Sequence, residues 1–112
     1  MTTDNSAITK TLTIASGTAT PEIDLGQYSL VGIYTPASLV STSLTFTAAP
    51  NGGGTHATIK NTSNTAISVT VDSSAAYYAL APDSLAGIRF LKIVTSASET
   101  NKVFMIALKQ RG

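Results

Sequence analysis

The chain has 112 residues, the size of one domain, with a formal net charge of +1 and only 12% charged side chains. Such a surface lacks the basic footprint of a nucleic-acid-binding protein, and the absence of cysteine excludes disulfides and thiolate metal sites. No apolar run approaches the ~20 residues that span a bilayer. We therefore predict a protein that binds neither nucleic acid nor a membrane.

The chain opens with a polar segment followed by an amphipathic strand. Residues 1–7 are polar, carry no secretory signal pattern and are predicted to form a flexible arm. From residue 8 the pattern alternates, so that Leu12 and Ile14 face inward and the threonines between them face outward. Glu22 and Asp24 then share one face of an extended segment. That spacing could mark a glycosidase pair or a calcium site, but the remaining ligands are missing, so we predict a solvated strand edge.

The next predicted strand, at residues 28–35, is apolar on both faces. The same holds for residues 87–96 and 102–110, which a turn signal at 96–101 separates. A strand that is apolar on both faces must be covered on both. We therefore expect one face of each strand in the core and the other against a loop, a second sheet or another subunit. The residues that divide between these roles are Tyr28, Leu30, Val31, Ile33, Tyr34, Phe90, Leu91, Ile93, Phe104, Met105, Ile106 and Leu108.

Two segments with the pattern Pro-x-Ser-Leu are predicted to form tight corners. They occupy residues 35–41 and 81–87. Proline followed by small polar residues favours a single 3₁₀ turn. We expect Leu39 and Leu85 to plug the core at these corners.

A run of three glycines, Gly52 to Gly54, lies between two amphipathic strands at residues 42–48 and 56–60. A phosphate-binding loop needs a helix after its glycines, whereas a second strand follows here, so the run is predicted to be a hairpin turn. His56 falls on the polar face of that second strand. A single histidine without nearby carboxylates in sequence makes neither a metal site nor a specific triad. We expect a solvated residue, and no catalytic, metal or cofactor site.

Two tyrosines and one arginine stand out in the second half of the chain. Residues 66–72 are predicted to form another amphipathic strand. Tyr77 and Tyr78 lie on opposite faces of the strand after it, so we expect one tyrosine to face the core and the other to face outward. Arg89 lies in the most apolar strand, where a buried charge needs a partner. We predict an ion pair within the chain or with a neighbouring subunit, and Asp83 is the nearest acid in sequence.

About eight short strands with no helix of useful length place residues 8–112 in the all-β class. The predicted architecture is an antiparallel two-sheet β-sandwich of the jelly-roll type.

Two stretches resemble a group of small β-sandwich virion proteins of tailed bacteriophages. They are IDLGQYSLVGIYTPASLVSTSLTFTAAPNGG and YYALAPDSLAGIRFLKIVTSASETNKVFMIALKQR, and the resemblance spans residues 22–112. It departs from the group at SASETNK, where the usual element is often longer and richer in arginine and glutamine. The resemblance implies a trimeric capsid decoration or cement protein that contacts the major capsid protein or other virion proteins, assembled in a bacterial cytoplasm.

The sequence therefore predicts a non-enzymatic structural protein that self-associates. The candidate interface residues are Tyr28, Tyr34, Tyr78, Arg89, Phe104 and Met105. Two alternatives stay open. One is a neck or tail connector, and the other is a carbohydrate-binding adhesin-type module that uses Tyr77 or Tyr78, against which the absence of tryptophan counts.

Overall fold

The computed structural model describes residues 8–80 and 88–110, which form eight strands and no helix. All the strand pairs are antiparallel and belong to one sheet that curls as a half-barrel. The all-β prediction is confirmed, whereas the two-sheet jelly roll is not. The strands are β1 (Ile8–Ala19), β2 (Ile23–Asp24), β3 (Tyr28–Thr35), β4 (Ser43–Ala49), β5 (Ala57–Thr58), β6 (Ser68–Thr70), β7 (Ala76–Ala79) and β8 (Phe90–Gln110).

The 21-residue strand β8 joins the sheet together. Along one edge it pairs with β1 and β2, and along the other it pairs first with β4 and then with β3. A single strand that hydrogen-bonds four others makes one continuous curled sheet, and the predicted division into two sheets is not confirmed. The remaining strands lie outside these, with β7 on β3 and both β5 and β6 on β4.

Two predicted turns are instead irregularities inside long strands. The polar residues 96–101 continue β8, with Thr100 opposite Ser16 and Glu99 opposite Gly17 in β1. Pairing of Glu99 and Thr100 with β1, and the hydrogen bond from the Ala97 amide to the Ser41 hydroxyl, give this segment partners that override the local turn preference. The Ser-Gly-Thr run at 16–18, which is also a turn signal in the sequence, is a bulge, where Gly17 has a φ of 119° and the register shifts. Bulges of this kind bend the strand and increase its twist.

The inner side of the curled sheet holds one hydrophobic core. Leu12 and Ile14 are buried as the alternation predicts, and Leu39 plugs the core from the segment after β3, although no 3₁₀ turn forms there. Ala57, predicted to face inward, is exposed on the two-residue edge strand β5, while Ile59 packs against the core. The fully buried large side chains are Phe46, Phe104, Ile14, Leu25, Leu30, Ile33, Leu44, Leu91, Ile93, Ile106 and Leu108.

A buried carboxylate fixes the loop between β3 and β4. Glu99 in β8 is 1% exposed, and it accepts hydrogen bonds from the backbone amides of Val40 and Ser41 and from the Ser41 hydroxyl. These bonds satisfy both the buried charge and the loop amides. Glu99 lies 58 positions after Ser41 and 59 positions after Val40 in the chain, so this contact is a long-range one.

Some predictions lie outside the described residues. They are the N-terminal arm at 1–7 and the corner at 81–87 with its residues Asp83 and Leu85. Where the chain is described, no helix is long and apolar enough to cross a membrane.

Candidate functional site

The outer side of the sheet carries a cluster of exposed apolar side chains, which we call the aromatic face: Tyr34, Tyr77, Val103 and Met105. Their exposed fractions lie between 40% and 48%. Tyr77 lies opposite Tyr34 across β7 and β3, and Tyr34 lies opposite Met105 across β3 and β8, so the three form one cross-strand row. Val103 is two residues before Met105 and therefore faces the same way. Only one other large hydrophobic side chain among the described residues, Val40, is comparably exposed.

The aromatic face is uncharged. Its neighbours on β1 are Thr11, opposite Met105, and Thr13, opposite Val103. Its neighbours in the next row of β3 and β8 are Gly32 and Ala107. The rings of Tyr34 and Tyr77 lie 4.5 Å apart between centroids with an interplanar angle of 46°. Contiguous exposed apolar patches, unlike single scattered apolar residues, are typical of interaction sites. Tyrosine and methionine are also the residue types that protein interfaces favour.

Gly32 sets the position of the Tyr77 ring. The hydroxyl end of that ring occupies the space where a side chain at position 32 would begin. A glycine here therefore lets the tyrosine lie flat over the sheet, beside Tyr34.

We predict that Gly32→Ala displaces the Tyr77 ring and separates it from Tyr34. Loss of the ring contact and local crowding should lower the free energy of unfolding by about 1 kcal/mol. Chemical denaturation measures this, and the double variant Gly32→Ala with Tyr77→Ala is the control. If Gly32→Ala lowers the unfolding free energy as much in the Tyr77→Ala background as in the wild type, then the Tyr77 ring is not the reason that position 32 requires glycine.

The structure separates the six predicted interface residues into four groups. Tyr34 and Met105 are exposed and adjacent on the aromatic face. Tyr28 and Tyr78 are half-buried against the core, so Tyr77 is the outward member of its pair. Phe104 is fully buried within the chain, so its side chain is not available to a partner.

Arg89 is the sixth of these residues. Its side chain was predicted to be buried, but it is exposed. It pairs with Asp24, with Nε 2.9 Å from Oδ1 and Nη2 3.1 Å from Oδ2. Asp24 belongs to β2, which pairs with the start of β8. The pKa of Asp24 is lowered by the hydrogen bond from Arg89 and then by the Gly26 amide. Exposed ion pairs of this kind contribute little to the free energy of unfolding. The pair therefore serves mainly to hold the Arg89 side chain beside β2.

A second polar cluster joins the glycine hairpin to the segment before β2. His56, predicted to be solvated, has a side chain only 11% exposed, with Nε2 2.6 Å from Glu22 Oε1. Its Nδ1 lies 3.1 Å from the Thr47 hydroxyl. The second carboxylate oxygen of Glu22 accepts a hydrogen bond from the Gly53 amide at 3.1 Å. The predicted solvated edge at Glu22 is therefore a paired carboxylate.

The pairing of β8 on both edges brings this cluster together. Ile23 and Ala48 both lie opposite Leu91, on either side of β8, and Thr47 lies opposite Lys92. Glu22 and His56 are 34 residues apart and come close only because β2 and β4 flank the same strand. No spacing within the sequence signals this contact.

A hydroxyl, an imidazole and a carboxylate in a row also occur in hydrolases. Here the carboxylate of Glu22 is shared between the imidazole and the Gly53 amide, which ties the three groups to the hairpin backbone. Among the described residues, no three histidine, aspartate or glutamate side chains come together to hold a metal ion. The cluster therefore fits a structural contact better than a reaction centre.

Comparison with known proteins identifies a shared fold. No protein-family model matches the chain, and no curated protein matches it significantly. Among solved structures, the chain is similar to the crystal structure of the SPBc2 prophage-derived protein YomS, with a TM-score of 0.60 and 14% sequence identity. The similarity covers 99% of this chain and 98% of that chain. The whole chain therefore has the fold of that protein.

Proposed function

We propose that this chain is a non-enzymatic structural protein of a phage virion that self-associates through its aromatic face. The observation that carries the proposal is the exposed, uncharged row formed by Tyr77, Tyr34 and Met105. Two further findings support it. The fold is that of a prophage-derived protein, and the sequence resembles small virion proteins over residues 22–112.

A second copy of the chain is the occupant that best fits this face. The face has no charge to be matched by an oppositely charged partner, so copies of it meet without like-charge repulsion. In a closed three-fold ring every subunit meets two others, so an apolar face that lies at the three-fold axis is covered by both neighbours. We propose a homotrimer, since three-fold assembly is what the family resemblance implies.

The molar mass in solution tests this part of the proposal. We expect the wild-type protein near micromolar concentration to have a mass of three times the 11.5 kDa chain by size exclusion with light scattering. Tyr34→Ser and Tyr77→Ser should each weaken association about 30-fold or more, because central aromatic residues dominate interface energies.

Val40→Ser is the matched control. Val40 is the most exposed large hydrophobic residue in the described part of the chain, at 69%, and belongs to the loop after β3 that Glu99 holds. It should leave the mass unchanged. A monomeric wild type, or equal effects of all three substitutions, would reject the aromatic face as the subunit interface and would favour the carbohydrate-binding alternative.

On the virion, we propose that the oligomer decorates and stabilises the capsid. Many copies on a symmetric shell add modest contacts by multivalency. Antibody labelled with gold should mark the heads of intact particles in electron micrographs. Label confined to the neck or tail would instead identify a connector protein.

A further inference from the structure

The carboxylate of Glu22 bridges two points of the glycine hairpin at residues 50–56. One oxygen contacts His56 Nε2 at the end of the hairpin, and the other accepts from the Gly53 amide at its tip. Glu22 itself lies in the segment that leads into β2, a strand of two residues. Apart from its own turn bond from the Gly54 amide to the Asn51 carbonyl, the hairpin tip is held by this one side chain in the described hydrogen bonds.

We propose that Glu22 and His56 form a latch, released by acid, that holds the glycine hairpin against the segment before β2. This inference does not depend on the proposed virion function. It concerns a different part of the surface from the aromatic face.

Protonation of the histidine does not open this latch. Nε2 carries a proton in the tautomer that donates to Glu22, and it still carries one when the ring is charged. Nδ1 accepts from the Thr47 hydroxyl when the ring is neutral and donates to the same oxygen when it is protonated, because a hydroxyl can do either. The contact is therefore compatible with both charge states of His56.

Protonation of Glu22 does open it. A neutral carboxylic acid loses the ion pair with the charged imidazole and the negative charge on the acceptor of the Gly53 amide bond, so both contacts weaken. The charged or titratable groups that act on Glu22 are His56 from the hairpin and Lys92 from β8, while β4 presents the uncharged Thr47. Both charged groups favour the ionised carboxylate.

The direction of the pH dependence follows from the carboxylate. The hydrogen bonds from His56 and then from Gly53 hold the pKa of Glu22 below its ordinary value. A group with a lowered pKa stabilises the folded state fully above its unfolded pKa, and this stabilisation is lost as the pH falls through the folded pKa. Release therefore requires a pH below the ordinary range of a glutamate side chain, where the neutral acid of Glu22 becomes populated.

Amide hydrogen exchange and NMR titration of the full chain test the latch. We expect the Gly53 amide resonance to show one acid transition, and its protection factor to fall about tenfold between about pH 6 and pH 3. Core amides such as that of Ile106 should stay protected over the same range, which separates hairpin release from global unfolding.

Two variants of neighbouring carboxylates make the test specific. Glu22→Gln should abolish the acid transition at Gly53 and leave its protection low at every pH. Asp24→Asn removes the carboxylate of the adjacent strand β2, whose hydrogen-bond partners are Arg89 and the Gly26 amide, and should behave like the wild type. A transition that persists in Glu22→Gln, one centred near pH 6.5, or loss of Ile106 protection together with Gly53 would overturn the proposal.

Discussion

Replacing Phe104 with alanine is expected to lower the free energy of unfolding by about 3–5 kcal/mol. The side chain is fully buried on the inner side of β8, so truncation removes its apolar contacts and leaves a cavity in a close-packed core. Denaturant unfolding followed by circular dichroism measures the change. A protein of this size has a total stability of the same order, so the variant should be largely unfolded under mild conditions.

Met105→Ala is the matched control, because the two residues are adjacent and face opposite sides of β8. Met105 is 40% exposed, and its truncation should change the unfolding free energy of the monomer by no more than about 0.5 kcal/mol. It should instead weaken self-association. If Met105→Ala destabilises the monomer as much as Phe104→Ala does, the assignment of the two faces is wrong.

Replacing Glu99 with alanine is expected to lower the free energy of unfolding by about 2–4 kcal/mol. The substitution removes the acceptor for the amides of Val40 and Ser41 and for the Ser41 hydroxyl, and it leaves buried donors unpaired. The loop between β3 and β4, which carries the buried Leu39, should then lose its anchor. Loss of protection in amide hydrogen exchange at Val40 and Ser41 locates the effect.

Glu99→Gln distinguishes the hydrogen bonds from the charge. Glutamine keeps a carbonyl acceptor in the same place, so we expect about half the cost of the alanine substitution. Burial alone raises the pKa of Glu99, but the hydrogen bonds from Ser41 and Val40 and the charge of Lys102 lower it below its ordinary value. The wild type should therefore lose stability as the pH falls through that lowered pKa, and the glutamine variant should lose less. An equal cost of both substitutions would show that charge, and not hydrogen bonding, holds the loop.

Alternation predicted the strands well wherever one face is buried and the other solvated. Leu12 and Ile14 are buried between exposed threonines, and β3 spans residues 28–35 as predicted. The prediction of a turn at residues 96–101 was wrong. These polar residues favour a turn locally, but they continue β8. Local preference decides a turn only when the backbone has no better partner, and β1 supplies that partner here.

The candidate sites were predicted unequally. The two-faced strands pointed to the region of Tyr34 and Met105, since apolar residues on an outward face are visible in sequence. Phe104, also predicted at an interface, has its side chain buried within the chain because its register on β8 places it inward. The Glu22–His56 contact could not be predicted at all, because a pair 34 residues apart depends on which strands flank β8.

The sequence by itself determined the all-β class, the absence of thiolate chemistry, the low charge and the existence of strands with two apolar faces. These properties depend on composition and on a local period of two, which side-chain geometry in a strand imposes. Only the tertiary structure decided that 21 residues form one strand, which apolar side chains lie outside, and that Glu22 holds the glycine hairpin and Glu99 the β3–β4 loop. Those outcomes depend on pairing between distant segments, where one shift in register exchanges the inner and outer faces.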